Sequence, residues 1–194
     1  GGLIMGSQEV KEGYKLTEVG VIPEDWEIEE LSHLCEKIVD CNHSTPLWKN
    51  EGIIVLRNQN IRNGRLDLSD PSYTDSLHFF ERIKRAEPRG GDLVITREAP
   101  IGEVCRIPEN FKCCLGQRMV LLRPYQQFCN SFYLLNFLQS EFIKQIIHTE
   151  SGTGSTVSNL RIPVIESLPI LCPPIGEQEK IAQVLSDFDR AIAH

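Results

Sequence analysis

Two spacings of apolar residues recur along the chain, and each predicts a different kind of element. Short runs of Val, Ile and Leu between Gly, Pro and Asn predict strands, because such runs fit a half-buried pleated sheet. Apolar residues three and four positions apart predict helices instead. The predicted strands are 26–29, 53–57, 92–97, 102–107, 113–114 and 119–123.

Helical spacing occurs in segments of very different length. Residues 31–38 and 78–87 predict short helices, and "NSFYLLNFLQSEFIKQIIHTE" (130–150) predicts one long helix with a wide apolar face. A last helix begins after Pro173-Pro174, and the acidic residues in its first turn favour the positive end of the helix dipole. The polar segments between these elements are expected to be loops.

Together these elements define an α+β domain with a curved, mostly antiparallel sheet and flanking helices, from which a carboxy-terminal helix projects. Asn63-Gly64 predicts a tight hairpin turn within the domain. Residues 162–174 predict a short extended run. We divide the chain into an expression remnant or disordered amino terminus, the folded domain, and the start of the projecting helix, which are residues 1–13, 14–172 and 173–194.

Charge is distributed unevenly along the chain. The 194 residues carry a net charge of −7, which argues against a general nucleic-acid binder. Residues 8–40 hold ten acids and three bases, but residues 41–65 hold one acid and four bases. Residues 82–123 hold five acids and nine bases. The bases are therefore concentrated in the middle of the chain, although a solvated mixed surface also explains counts of this size.

Candidates for catalysis or metal binding are few. Seven cysteines cannot all pair within one chain, and reduced, buried cysteines in a cytosolic protein are the simplest interpretation. Cys41 and His43 have no common zinc-ligand spacing, although a Cys/His nucleophile pair stays open. The segment "SGTGST" (151–156) lacks the lysine of a phosphate-binding P-loop. No apolar run in the sequence is long enough to span a membrane.

Side chains of the types that read DNA bases lie in the loops between the apolar strands. Arg pairs with guanine edges, Asn and Gln with adenine, and Glu with the cytosine amine. Ser and Thr hydroxyls bind phosphates. Turn chemistry alone also explains Asn, Ser and Gly in any single loop. The candidate DNA contacts are Asn42, His43, Ser44, Thr45, Lys49, Asn58, Gln59, Asn60, Arg62, Arg97, Glu98, Gln117, Arg118, Thr153, Ser155 and Thr156.

Four segments resemble the specificity subunit of a type I restriction–modification system. "GVIPEDWE" (20–27) resembles the entry into a target recognition domain of that family, with "STP" (44–46) at the place of its first loop. "GDLVITREAPIGEVCRIPENFKCCLGQRMVLLRP" (91–124) resembles its central block. "GSTVSNLRIPVIESLPILCPPIGEQEKIAQVL" (154–185) resembles its closing block. Within the last, Pro-Pro-Ile-Gly-Glu-Gln (173–178) is the most specific motif.

The resemblance implies a target recognition domain at 14–172, with no catalytic residue, metal or cofactor of its own. In that family two such domains, separated by two long helices, each read one half of a split DNA target. Methyltransferase subunits, which bind S-adenosylmethionine, dock on this scaffold, and translocase/nuclease subunits join them for restriction. The expected partners are therefore double-stranded DNA and both kinds of subunit, in the cytoplasm.

The last helix carries an apolar seam. Ile181, Leu185, Phe188 and Ile192 follow each other in steps of four, three and four, the spacing of a coiled-coil face. Three coverings are open: a partner helix outside this chain, a second copy that forms a homodimer, or the domain itself if the helix folds back.

Two other functions compete with the subunit. The domain could be the recognition part of a single-chain restriction–methylation enzyme, with the same fold and role. Alternatively, the chain could be a small-molecule enzyme that uses Cys41 and His43 or the Gly/Ser loop. Replacing Cys41 and His43 with alanine is expected to abolish activity only in that last case.

Overall fold

The computed structural model describes residues 10–151 and 159–192. Its helices are α1 (Leu31–Leu34), α2 (Ser76–Arg82), α3 (Ser131–Leu138), α4 (Glu141–Glu150), α5 (Ile162–Glu166) and α6 (Ile175–Ile192). Its strands are β1 (Tyr14–Thr17), β2 (Gly20–Pro23), β3 (Glu27–Glu30), β4 (Cys35–Asp40), β5 (Ile53–Leu56), β6 (Ile61–Arg62), β7 (Arg65–Leu66), β8 (Tyr73–Thr74), β9 (Leu93–Thr96), β10 (Val104–Arg106), β11 (Cys113–Leu115), β12 (Met119–Pro124) and β13 (Pro169–Cys172).

A four-stranded antiparallel sheet in the order β10-β9-β12-β4 forms the middle layer. Every residue of β9 and β12 is buried, because the sheet is covered on both faces. Leu93 and Ile95 belong to a core that also contains residues of α3 and α4, whereas Val94 belongs to a core shared with β5 and β11. Because successive side chains of β9 point to opposite faces of the sheet, this strand contributes to two separate cores.

Helices α3 and α4 replace the single long helix predicted for residues 130–150. Asn130 caps α3 by accepting hydrogen bonds from two backbone N–H groups of its first turn. The chain then turns at Gln139, and the side chain of Ser140 accepts a hydrogen bond from the N–H of Ile143. That second N-cap starts α4 in a new direction, which apolar spacing alone did not reveal.

Two further predicted elements differ from the structure. The helix expected at 31–38 ends after Leu34, and its second half is strand β4, where Ile38 pairs with Leu122. The extended run expected at 162–174 begins as helix α5, with Pro163 in its first turn, and becomes strand only at β13. At 35–38 pairing with β12 overrides the local helical spacing. At 162–166 Pro163 lies in the first turn, where its missing N–H has no intrahelical partner to lose, and a helix forms. The mixed α+β class and the antiparallel central sheet are confirmed.

The second sheet, in the order β11-β5-β8, contains a parallel pair. Strands β5 and β11 run side by side from Ile54↔Cys113 to Leu56↔Leu115. The hairpin at Asn63-Gly64 joins β6 to β7 as predicted, and both turn residues have positive φ. No helix within the described ranges is long and apolar enough to cross a membrane.

Candidate nucleic-acid interface

The parallel pair brings two polar loops to one edge of the domain. Because β5 and β11 run in the same direction, their carboxyl ends meet, and the segments that follow them lie together. Gly116 is required at this meeting point, because a Cβ there would lie 2.6 Å from the carbonyl oxygen of Leu56. The N–H of Gly116 donates to that same oxygen at 2.7 Å.

An open cleft of about 350 Å³ lies where these loops meet. Four of the candidate DNA contacts line it: Asn58, Gln59, Gln117 and Arg118. Its other lining residues are Pro46, Trp48, Arg57 and Ala99, so that the described lining contains two cations and no acid. A concave, cationic cleft of this size fits the edge of a base and the anionic backbone that accompanies it.

The remaining candidates divide between rim and interior. Ser44, Thr45, Lys49 and Arg62 are exposed, and His43 is exposed beside the cleft, where its backbone carbonyl accepts a hydrogen bond from Gln117. Asn60 and Arg97 are only 2% and 9% exposed. Thr153, Ser155 and Thr156 lie outside the described residues.

Asn60 and Arg97 use their polar groups inside the domain. The amide of Asn60 donates to the backbone carbonyl of Asp67 at 2.9 Å, and its oxygen accepts from the N–H of Arg57. Arg97 donates to both carboxylate oxygens of Asp40 at 3.1 Å and to the carbonyl of Leu160 at 2.9 Å. In this arrangement both side chains position the loops rather than offer free groups to a ligand.

Asp40 connects Arg97 with the loop between β4 and β5 (residues 41–52), which we call the first loop. Its Oδ2 lies 2.7 Å from Nε2 of His43. Asn42 orders Ser44, two positions later, by accepting hydrogen bonds from its N–H and its hydroxyl. Three of the candidate contacts thus belong to one hydrogen-bonded loop whose base is an ion pair.

Arg82 of α2 supports the same loop from beneath. It is 9% exposed, and its guanidinium donates to three backbone carbonyls, those of Leu115 at 2.7 Å, Ser44 at 3.0 Å and Asn42 at 3.0 Å. Burial lowers the pKa of Arg82 from its ordinary value. One side chain therefore ties the first loop to the end of β11, where the cleft begins.

Arg118 lies on the other side of the cleft in a strained conformation. Its φ is 63°, in the left-handed region that residues other than glycine rarely adopt. Its backbone carbonyl accepts from the N–H of Arg97 at 2.8 Å, and its guanidinium lies 3.3 Å from the carboxylate of Glu98. Strain held by surrounding bonds is typical of functional sites.

Neither Trp48 nor Arg57 was among the candidate contacts. The guanidinium carbon of Arg57 lies 5.4 Å from the centre of the Trp48 ring, which is a cation–π contact. The sequence feature that could have indicated Trp48 is an aromatic residue two positions after Pro46 in a polar loop. The two are nine positions apart in the chain, so that the contact between Trp48 and Arg57 was not visible in the sequence.

The alternatives that use cysteine lose their chemical basis. Burial raises the pKa of the Cys41 thiol, whose sulfur accepts a hydrogen bond from the N–H of Met119 at 3.3 Å. A protonated thiol is a poor nucleophile and a poor metal ligand. Within the described ranges, no group of three or more His, Cys, Asp or Glu side chains is arranged to hold a metal ion.

Helix α6 is fixed to the domain at its first turn. Gln178 is 2% exposed, and its oxygen accepts from the N–H of Asn130 at 2.9 Å. Its nitrogen donates to the carbonyls of Phe128 at 3.0 Å and Pro173 at 2.8 Å. Beside it, Glu177 accepts a hydrogen bond from the indole of Trp26 at 2.9 Å. We call these residues the α6 root.

Further along α6 the apolar seam is uncovered. Ile181 is half-buried, Leu185 is 37% exposed and Phe188 is 63% exposed. Asp189 of the same helix lies 3.8 Å from Arg65 of β7, so that the helix passes alongside the domain without covering its own seam. Ile192 ends the helix, and its side chain is outside the described part.

Comparison with known proteins shows the family to which this chain belongs. The family model for the type I restriction modification DNA specificity domain matches residues 23–194. The chain is 30% identical over 186 residues to the type I restriction enzyme MjaX specificity subunit of Methanocaldococcus jannaschii, which covers 94% of this chain and 44% of that one. It is 24% identical to the EcoKI specificity subunit of Escherichia coli, over 86% of this chain and 36% of that one.

Solved structures show the same fold. The HsdS subunit from Thermoanaerobacter tengcongensis superposes with a TM-score of 0.64 at 20% identity, over 94% of this chain and 41% of that one. A chain from a type I R-M system, solved for its complex assembly and conformational transition, gives 0.63 at 20% identity, over 89% and 40%. The chain belongs to the type I restriction–modification specificity family. It spans less than half the length of the curated relatives that it matches.

Proposed function

We propose that this chain is a non-catalytic DNA-recognition unit that reads one half of a bipartite target for a type I restriction–modification complex. The cleft at the carboxyl ends of β5 and β11 carries the proposal, because it gathers cations and amide side chains from two loops at one place. Such side chains contact base edges in the major groove, while cations around them contact phosphates.

The chemistry of the site supports binding rather than catalysis. The polar side chains of the cleft are Arg, Asn and Gln, which hydrogen-bond and do not transfer protons near neutral pH. Methylation and cleavage would then come from methyltransferase subunits, with S-adenosylmethionine, and from translocase/nuclease subunits. The relatives named specificity subunits and the solved type I R-M system support these partners.

Selection from a pool of duplexes with a randomised centre tests the proposal. The purified chain is incubated with the pool at low salt, where phosphate contacts are least screened, and bound duplexes are sequenced over several rounds. We expect one short motif to be enriched. The double variant Gln59→Ala, Arg118→Ala should lose the motif, and Arg89→Ala, an exposed arginine before β9, should keep it. A pool that returns without any motif would overturn the proposal.

We further propose that the exposed seam of α6 packs against another helix of the same kind. Leu185 and Phe188 together present a coiled-coil face that the domain leaves open. The partner helix would come from the remaining length of a full subunit or from a second copy of this chain. Either arrangement would hold two recognition domains at a fixed separation and so define a split target.

Light scattering over a concentration series distinguishes the two sources of the partner helix. A dimer that Leu185→Asp and Phe188→Asp dissociate indicates a second copy, because each change buries a carboxylate in the seam. Gln183→Asp introduces the same charge on an exposed position of α6 away from the seam and should leave the dimer intact. A monomer at every concentration indicates that the partner is a different segment. A dimer that is unaffected by both seam variants would contradict the seam as the interface.

A further inference from the structure

Arg57 occupies a constrained position on the rim of the cleft. It follows directly after β5, and its backbone is held on both sides by buried Asn60. The N–H of Arg57 donates to Oδ1 of Asn60 at 2.9 Å, and the carbonyl of Arg57 accepts from the N–H of Asn60 at 2.8 Å. The direction in which this arginine leaves the sheet is therefore fixed.

The side chain of Arg57 is oriented but has few polar partners. Its guanidinium lies over the Trp48 ring, with one hydrogen bond of 3.3 Å to the hydroxyl of Ser72. Among the described residues no carboxylate lies within ion-pairing distance of it, whereas Arg118 across the cleft is paired with Glu98. Most of the donor groups of Arg57 are consequently available to a ligand.

The two glutamines of the cleft offer the complementary group. The amide nitrogen of Gln59 donates to Asp70 at 2.7 Å, and the amide nitrogen of Gln117 donates to the carbonyl of His43. These contacts use one N–H of each amide, so that each side chain keeps its second N–H and its oxygen, and neither oxygen has a donor within the described ranges. The cleft thus presents an oriented arginine fork together with amide acceptors.

We propose that Arg57 reads a guanine and that Trp48 is its positioning residue, an inference that rests on the proposed function. In the major groove a G·C pair presents two adjacent acceptors on guanine, N7 and O6, and one donor on cytosine, N4. The fork of Arg57 matches the two acceptors. An amide oxygen of Gln59 or Gln117 matches the donor of the same pair.

An A·T pair fits this arrangement less well. Its purine presents an acceptor at N7 beside a donor at N6, so that the second N–H of an arginine fork would meet another donor. Trp48 adds to the discrimination by holding the guanidinium in one plane, since a stacked arginine loses less side-chain freedom on binding. The half-target of this chain is therefore expected to contain a G·C pair that depends on Arg57.

The same randomised-duplex selection, repeated with Arg57→Lys and Trp48→Ala, tests this assignment. Lysine keeps the charge but lacks the planar fork and cannot stack on Trp48 as arginine does, so that preference for G·C at one position should fall roughly ten- to hundredfold. Trp48→Ala should reduce the same preference by about two- to fivefold. Affinity for non-specific duplex should change little in either. Arg89→Lys, an exposed arginine at the opposite end of β9 from the cleft, is the matched control and should keep the motif.

Two failures can be told apart. If the unaltered chain selects no motif, the proposed function falls and this assignment falls with it. If the unaltered chain selects a motif that Arg57→Lys retains in full, only the assignment of Arg57 is overturned. Because Arg57 and Trp48 are both exposed, thermal unfolding of the two variants should match that of the unaltered chain.

Discussion

At the α6 root, Gln178 is 2% exposed and both ends of its amide are hydrogen-bonded; at the rim of the cleft, Arg57 is exposed and has one long hydrogen bond. Glu177 likewise has the indole of Trp26 as its partner. Gln59 and Gln117 use one end of their amides and leave the other. Polar groups are thus satisfied at the root and partly unsatisfied at the rim.

This difference indicates the structural role of the sequence motifs that resemble the specificity-subunit family. Trp26 lies in "GVIPEDWE" and Glu177 and Gln178 lie in "PPIGEQ", and the structure brings the two segments together at the α6 root. A buried, fully bonded joint fixes the direction in which a helix leaves a domain. The motif residues therefore fix the orientation of α6. We propose that this helix sets the distance between two recognition domains. The groups left unsatisfied at the rim are those suited to reading DNA.

The largest effect is expected at the α6 root. Gln178→Leu replaces the amide with an apolar side chain of similar size. It leaves the backbone groups of Asn130, Phe128 and Pro173 without their partners. Buried groups without partners cost more than a hydrogen bond contributes, so that the free energy of unfolding should fall by about 3 kcal/mol. Urea unfolding, followed by circular dichroism, measures the change.

Gln183→Leu is the control for that change on the same helix. Gln183 is exposed and bonds only to Asp187, so that its replacement should alter the free energy of unfolding by less than about 0.5 kcal/mol. Equal effects of the two substitutions would mean that the α6 root does not stabilise the domain. The hydrogen bonds at the α6 root would then contribute no more to stability than those of an exposed side chain.

Much of the fold was predictable because apolar alternation records burial directly. The strands at 92–97 and 119–123 were predicted from their apolar runs, and both are covered on two faces. Direction of pairing is not encoded in that pattern. A buried run reads the same whether its neighbour is parallel or antiparallel, so that the β5–β11 pair and the cleft at its end were not foreseen.

The candidate site was predictable only as a set of loops. Residue type cannot distinguish Asn58 in the cleft from Asn60, two positions later, which is buried and bonded to the loop itself. The basic middle of the chain misleads in a similar way. Arg82 and Arg123 are buried on backbone carbonyls and on Asp92, so that the charge available to a phosphate is smaller than the count of bases indicates.

A smaller effect is expected beneath the rim, at Arg82. Arg82→Met removes the donors that hold the carbonyls of Leu115, Ser44 and Asn42 while keeping a side chain that fills the space. Loop carbonyls can turn toward water more readily than the backbone groups at the α6 root. The free energy of unfolding should therefore fall by about 2 kcal/mol. Urea unfolding measures it beside Lys84→Met, an exposed residue paired only with Glu81.

Measuring DNA binding distinguishes two roles of Arg82, which are support of the first loop and general stability of the domain. Well below its unfolding midpoint, Arg82→Met should bind the selected duplex roughly tenfold more weakly, because the loop must be ordered again on binding. Gln178→Leu, although less stable, should keep its affinity under the same conditions, since the α6 root does not line the cleft. If Gln178→Leu lost affinity and Arg82→Met kept it, Arg82 would be only a structural residue, and the rim would not depend on the arginine beneath it.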